Sequence, residues 1–104
     1  MRPVTFIVIC LVLLLPCAPV AGQGSTPSVA RSLAATCASC HGTNGVSVGE
    51  VASLASKPKD EIVRKMQDFK TGRVPGTIMP QLAKGYTDEQ IDLVAAWFAA
   101  QRAN

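Results

Sequence analysis

The sequence predicts a small all-α domain of about three main helices. Apolar residues recur at helical spacing in three segments: Val29, Leu33 and Cys37; Ile62, Met66 and Phe69; Ile91, Val94, Ala95 and Phe98. Start and stop signals frame these segments, among them Thr87-Asp88-Glu89-Gln90, which matches a capping box, and the glycines at 42 and 72. No segment shows the alternation of a half-buried strand, and no internal repeat or second domain is visible.

Residues 1–22 read as a secretory signal. Arg2 gives the positive start, Val4 to Leu15 is apolar except for Thr5, and Ala18-Pro19-Val20-Ala21-Gly22 supplies the small residues of a cleavage site. The apolar run is short for a membrane span. An uncleaved anchor and a lipoprotein modified at Cys17 are the alternatives, and Pro16 disfavours the second. The expected mature chain, residues 23–104, is a single domain with nine basic and seven acidic residues, a net charge of +2. No dense basic face suggests nucleic-acid binding, and no stable membrane insertion is expected once the signal is gone. A domain this short buries a limited core, so a large apolar ligand would help it fold.

The elements follow in order. Gln23 to Pro27 is a polar lead-in. Ser28 can cap a first helix running toward Cys40, with Ala30, Ala34, Ala35 and Ala38 allowing close packing and Gly42 ending it. Thr43 to Ser56, with Gly45 and Gly49, reads as a loop. Pro58 suits the first turn of a second helix, and Asp60 and Glu61 suit its positive end. Arg73 to Gly85 reads as irregular, because Pro75, Gly76, Pro80 and Gly85 interrupt it. Its apolar Val74, Ile78, Met79 and Leu82 suggest a loop pressed against something. The third helix follows Thr87, with Leu93 and Trp97 beside its stripe.

The chemistry is concentrated in Cys37-Ala38-Ser39-Cys40-His41, the C-x-x-C-H spacing of c-type haem attachment. Two thiols can bond the two vinyl groups of one haem while the adjacent imidazole ligates the iron. At i, i+3 and i+4 of a helix, the three side chains share one face. The competing readings are weaker. A thioredoxin-like pair belongs at a strand-to-helix junction in a βαβ pattern. A zinc site needs two more ligands, yet His41 is the only histidine and Cys10 and Cys17 lie in the segment expected to be removed. One motif implies one haem, around which the helices are expected to pack.

The sixth iron position needs a second ligand. A soft thioether suits haem iron, and the mature chain offers Met66 and Met79. Met66 falls on a predicted core stripe, whereas Met79 lies in the irregular Thr77-Ile78-Met79-Pro80 segment, so Met79 is the preferred ligand. The competing reading has Met79 merely covering the haem, with the site open. His/Met ligation raises the potential relative to bis-His and leaves no vacant position, which favours electron transfer over oxygen chemistry.

C-x-x-C-H near the mature start, Met79-Pro80 farther on and an aromatic-bearing last helix resemble a class I cytochrome c. The resemblance implies a small fold in which the first and last helices cross beside the haem, with Trp97 and Phe98 near the crossing. More specifically, Cys37 to Gly45 (CASCHGTNG), Asp68-Phe69-Lys70-Thr71-Gly72, Thr77-Ile78-Met79 and Ala83-Lys84-Gly85-Tyr86-Thr87 resemble the cytochrome subunit of flavocytochrome c sulfide dehydrogenase. That resemblance implies a periplasmic subunit, not itself catalytic, that accepts electrons from a flavoprotein sulfide dehydrogenase and passes them to a downstream acceptor, with FAD confined to the partner. One departure stands out. Many class I cytochromes place Gly-Pro after the haem motif, and the proline carbonyl orients the axial histidine. Here Gly49 is followed by Glu50, which leaves open the carbonyl that orients His41.

A free monohaem carrier of the c4 or c5 type is the alternative. Lys57, Lys59, Arg64, Lys65, Lys70, Arg73 and Lys84 would then form either a docking ring for an acidic partner or ordinary solvated surface. An open-site haem sensor and a haem-free thiol oxidoreductase complete the readings.

Overall fold

The computed structural model describes residues 26–103. The expected signal at 1–22, with Cys10 and Cys17, lies outside the described residues. The described chain forms α1 (Thr26–Ala35), α2 (Ala38–His41), a 3-10 turn (Thr43–Gly45), α3 (Lys59–Lys70), α4 (Met79–Ala83) and α5 (Asp88–Ala99), with no strand among the described residues. No helix among them is long and apolar enough to cross a membrane.

The first helix departs from expectation in three ways. It begins before Ser28, at Thr26, with Pro27 in the first turn, where a missing N–H costs nothing. Its buried face is Ala30 and Ala34, while Val29 is 42% exposed. The alanines face inward because α1 packs chiefly on α5, and small side chains let two helix backbones approach closely. Finally, α1 does not continue to Cys40. The Cys37 amide donates to the Ala34 carbonyl at 3.0 Å and the Thr36 hydroxyl to the Leu33 carbonyl at 3.0 Å, and the chain then re-enters helix as α2.

In α3, Asp60 and Glu61 occupy the first turn and Lys70 the last, matching the helix dipole. Pro58 sits at the N-cap, one residue outside the helix. Ile62 and Met66 are buried, as the apolar stripe predicts. The Arg73–Gly85 stretch is not wholly irregular, because α4 forms with Met79 as its first residue and Pro80 in its first turn. Pro80 read as an interruption, but at that position its fixed φ favours the helix.

The capping box of α5 is complete. Thr87 Oγ1 accepts from the Gln90 amide at 3.1 Å, and Gln90 Oε1 accepts from the Thr87 amide at 2.9 Å. Ile91, Val94, Ala95 and Phe98 are buried. They join Ala34, Ile62, Met66 and Ala83 in one core. Two ion pairs brace α3 against α5: Lys59 with Asp92 at 2.7 Å and Lys70 with Asp88 at 2.8 Å.

The loop after the 3-10 turn is fastened to this core. The Leu54 and Ala55 amides donate to the Gly45 carbonyl at 2.8 and 3.1 Å. Gly45 has φ +78°, and a Cβ there would lie 2.7 Å from Phe98 Cδ1. Beyond it, the Ser56 amide donates to the Phe98 carbonyl at 3.1 Å, and the Ser56 hydroxyl to the Gln101 carbonyl at 2.7 Å.

Candidate functional site

A cleft of about 540 Å³ opens between these elements. Cys37, Cys40 and His41 line it from α2 and the preceding turn, Met66 and Phe69 from α3, and Met79 and Leu82 from α4. Val51 and Leu54 from the loop, Ile78, Tyr86 and Val94 extend an apolar wall. Its size and lining are those of a cofactor site, mostly apolar with a few placed polar groups.

The motif residues come together by local geometry. The Cys40 and His41 amides both donate to the Cys37 carbonyl, at 3.2 and 2.9 Å. This single turn keeps the three side chains within one patch of the cleft wall although α1 is broken ahead of it. Gly42, at φ +84°, lets the chain leave that turn, and a Cβ there would collide with the Val46 carbonyl.

His41 is oriented by a group that sequence reading left open. Its Nδ1 lies 2.6 Å from the Ala52 carbonyl. A carbonyl can only accept, so Nδ1 carries the proton of this bond, and in the Nδ1–H tautomer the lone pair lies on Nε2. That is the arrangement of a metal-ligating histidine held by its outer nitrogen. Position 52 carried no signal, because the acceptor is backbone and any residue type supplies one. The loop presenting it is the one tied to Gly45 and Phe98.

Cys37 and Cys40 are free thiols. Burial pushes the Cys37 thiol up, against a smaller opposing effect of a Thr36 hydrogen bond. Cysteines that carry out thiol–disulfide exchange typically show the reverse, a lowered thiol. Among the described residues no three His, Cys, Asp or Glu side chains converge as a closed zinc site requires. A covalently held haem needs two unpaired thiols, an imidazole with Nε2 available and an apolar cleft, and these residues fit it.

Both candidate methionines line the cleft. Met66 is 8% exposed and packed into the core, whereas Met79 is half-buried at the edge of the core. Met79 thus starts a short helix rather than lying in a flexible loop. The basic residues are largely engaged. Lys57 pairs with Glu61 at 3.7 Å and Arg73 with Asp68 at 3.2 Å, in addition to the Lys59 and Lys70 pairs. Four of the seven therefore belong to an internally paired surface rather than to a uniform docking ring.

Comparison with known proteins agrees with this geometry. The family described as cytochrome c oxidase, cbb3-type, subunit III matches residues 24–98. The cytochrome subunit of sulfide dehydrogenase from Chlorobaculum tepidum is 40% identical over 83 residues, covering 80% of this chain and 76% of the relative. Cytochrome c-552 from Acidithiobacillus ferridurans is 33% identical over 64 residues, covering 62% of this chain and 28% of the longer relative. With the haem motif, the cleft and the all-α fold already in place, these matches extend across most of the described chain, and the chain belongs to the class I c-type cytochromes, haem proteins that carry electrons.

Proposed function

We propose that this cytochrome is an exported redox subunit that carries one haem and takes electrons from a flavoprotein sulfide dehydrogenase. In this reading residues 1–22 direct export to the periplasm and are removed, and residues 23–104 form a single monohaem domain. Cys37 and Cys40 hold the haem as thioethers, and His41 and Met79 are its axial ligands. FAD belongs to the partner, and a second carrier takes the electrons onward.

When bound, the haem supplies a one-electron couple. The chain's own residues supply the rest. His41 presents Nε2, held in register by the Ala52 carbonyl. Met79 presents a neutral thioether from the start of α4. Ile62, Phe69, Leu82 and Val94 line the cleft with apolar surface, and the low polarity this gives around a bound haem helps set the potential. The observation that carries the haem assignment is the His41 ring, locked by Nδ1 in a cleft that also holds both motif cysteines. The partner assignment rests on likeness to the sulfide dehydrogenase cytochrome subunit.

The experiment is gentle purification of the tagged protein from its native source, with a visible spectrum taken before and after sulfide addition. A stoichiometric flavoprotein companion, with haem reduced on sulfide addition, is the expected result. A lone red protein that sulfide reduces no faster than an unrelated cytochrome c supports the free-carrier alternative.

A further inference from the structure

Tyr86 joins three parts of the cleft. Its hydroxyl lies 2.7 Å from Thr36 Oγ1. The Thr36 hydroxyl proton goes to the Leu33 carbonyl, so the Tyr86 phenol is the donor. Thr36 immediately precedes Cys37, at the break between α1 and α2. The Tyr86 carbonyl accepts from Lys70 Nζ of α3 at 2.8 Å, and its amide donates to the carbonyl of Ala83, the last residue of α4, at 3.3 Å. One residue is therefore fastened to the turn before the haem motif, to α3 and to the helix that begins with Met79.

We propose that Tyr86 is a positioning residue for the sixth ligand. Its phenol, through Thr36, fixes the distance between the turn that carries Cys37 and His41 and the helix that carries Met79. A neutral thioether stays in place against competing ligands largely because the chain presents it in a prepared position. The Thr36–Tyr86 bond spans 50 residues of sequence and supplies that preparation. The proposal rests on the assignment of His41 and Met79 as axial ligands.

The test is imidazole titration of the ferric holoprotein, read from the visible spectrum. Losing one net hydrogen bond corresponds to about a fivefold change in an equilibrium. Tyr86→Phe should therefore raise the apparent imidazole affinity about fivefold. Thr36→Val should match it, the double variant should gain little more than either single, and Thr36→Ser should restore wild-type behaviour. Ala96→Gly serves as the control: it lies on the exposed face of α5, away from the cleft and from this contact, and by weakening the helix should lower thermal stability without changing imidazole affinity. If Tyr86→Phe behaves like Ala96→Gly, destabilised with unchanged affinity, the role is only structural and the proposal falls. If Met79→Ala binds imidazole no more tightly than wild type, the axial assignment fails and takes the proposal with it.

Discussion

Replacing Phe98 by alanine tests the link between the core and His41, the proposed haem ligand. Phe98 is 1% exposed and, with Ile91, is one of the largest fully buried side chains. An aromatic side chain buries roughly 150–250 Å², which at about 25 cal/mol per Å² is worth about 4–6 kcal/mol. Measured Phe→Ala losses in cores fall at about 3–5 kcal/mol, so about 4 kcal/mol is expected. Each kcal/mol moves the midpoint of a domain this small by about 4–8 °C, giving a fall of about 15–30 °C. Phe98→Leu keeps most of the volume and should cost under about 1.5 kcal/mol.

The functional consequence follows from the hydrogen bonds. The Phe98 ring lies against Gly45, whose carbonyl holds the Leu54 and Ala55 amides, and the Phe98 carbonyl holds the Ser56 amide. That loop presents the Ala52 carbonyl to His41. Thermal and urea unfolding of the holoprotein, combined with redox titration, is the assay. Phe98→Ala should be strongly destabilised and shifted in potential, and Phe98→Leu little changed in either. A loss below about 1 kcal/mol for Phe98→Ala, or an unshifted potential in a folded Phe98→Ala protein, refutes the reasoning.

Three further outcomes are expected. Met79→Ala should open the sixth position, so the reduced protein binds carbon monoxide at neutral pH and the potential falls; an unchanged spectrum and potential contradict the ligand assignment. Thr87→Ala removes the acceptor for the Gln90 amide and should cost about 1 kcal/mol in urea unfolding. The Gln67 and Lys70 hydrogen bonds hold the Asp88 carboxyl below its usual 3.8. A depressed folded value means that the stabilisation is present above that ordinary range and is lost as pH falls through the folded value. The stability gap between wild type and Asp88→Asn should therefore be small, constant near neutrality and closed in acid, as acid-dependent melting curves will show.

Sequence and structure agree where the signal is local. Thr87 and Gln90 make their capping box within one turn, and the α5 stripe is buried residue for residue. C-x-x-C-H keeps its three side chains together because one carbonyl, that of Cys37, organises the turn. They diverge where distant parts of the chain decide. The close packing of α1 on α5 turns Ala30 and Ala34 inward at the expense of Val29. The break at Thr36 coincides with hydrogen bonds to Leu33 and to Tyr86, the latter invisible to any local pattern. Pro80 reads as an interruption in sequence, and only its place in the first turn of α4 makes it a helix starter. The orienting group of His41 is a backbone carbonyl from an exposed loop residue, and a carbonyl leaves no mark in sequence.

The most direct measurement is the intact mass of the protein after maturation in a haem-attaching host, followed by peptide mapping. A polypeptide beginning near residue 23 with the added mass of one haem, recovered on the peptide that contains Cys37 and Cys40, is the expected result. A chain without haem, with both thiols free to react, would contradict it.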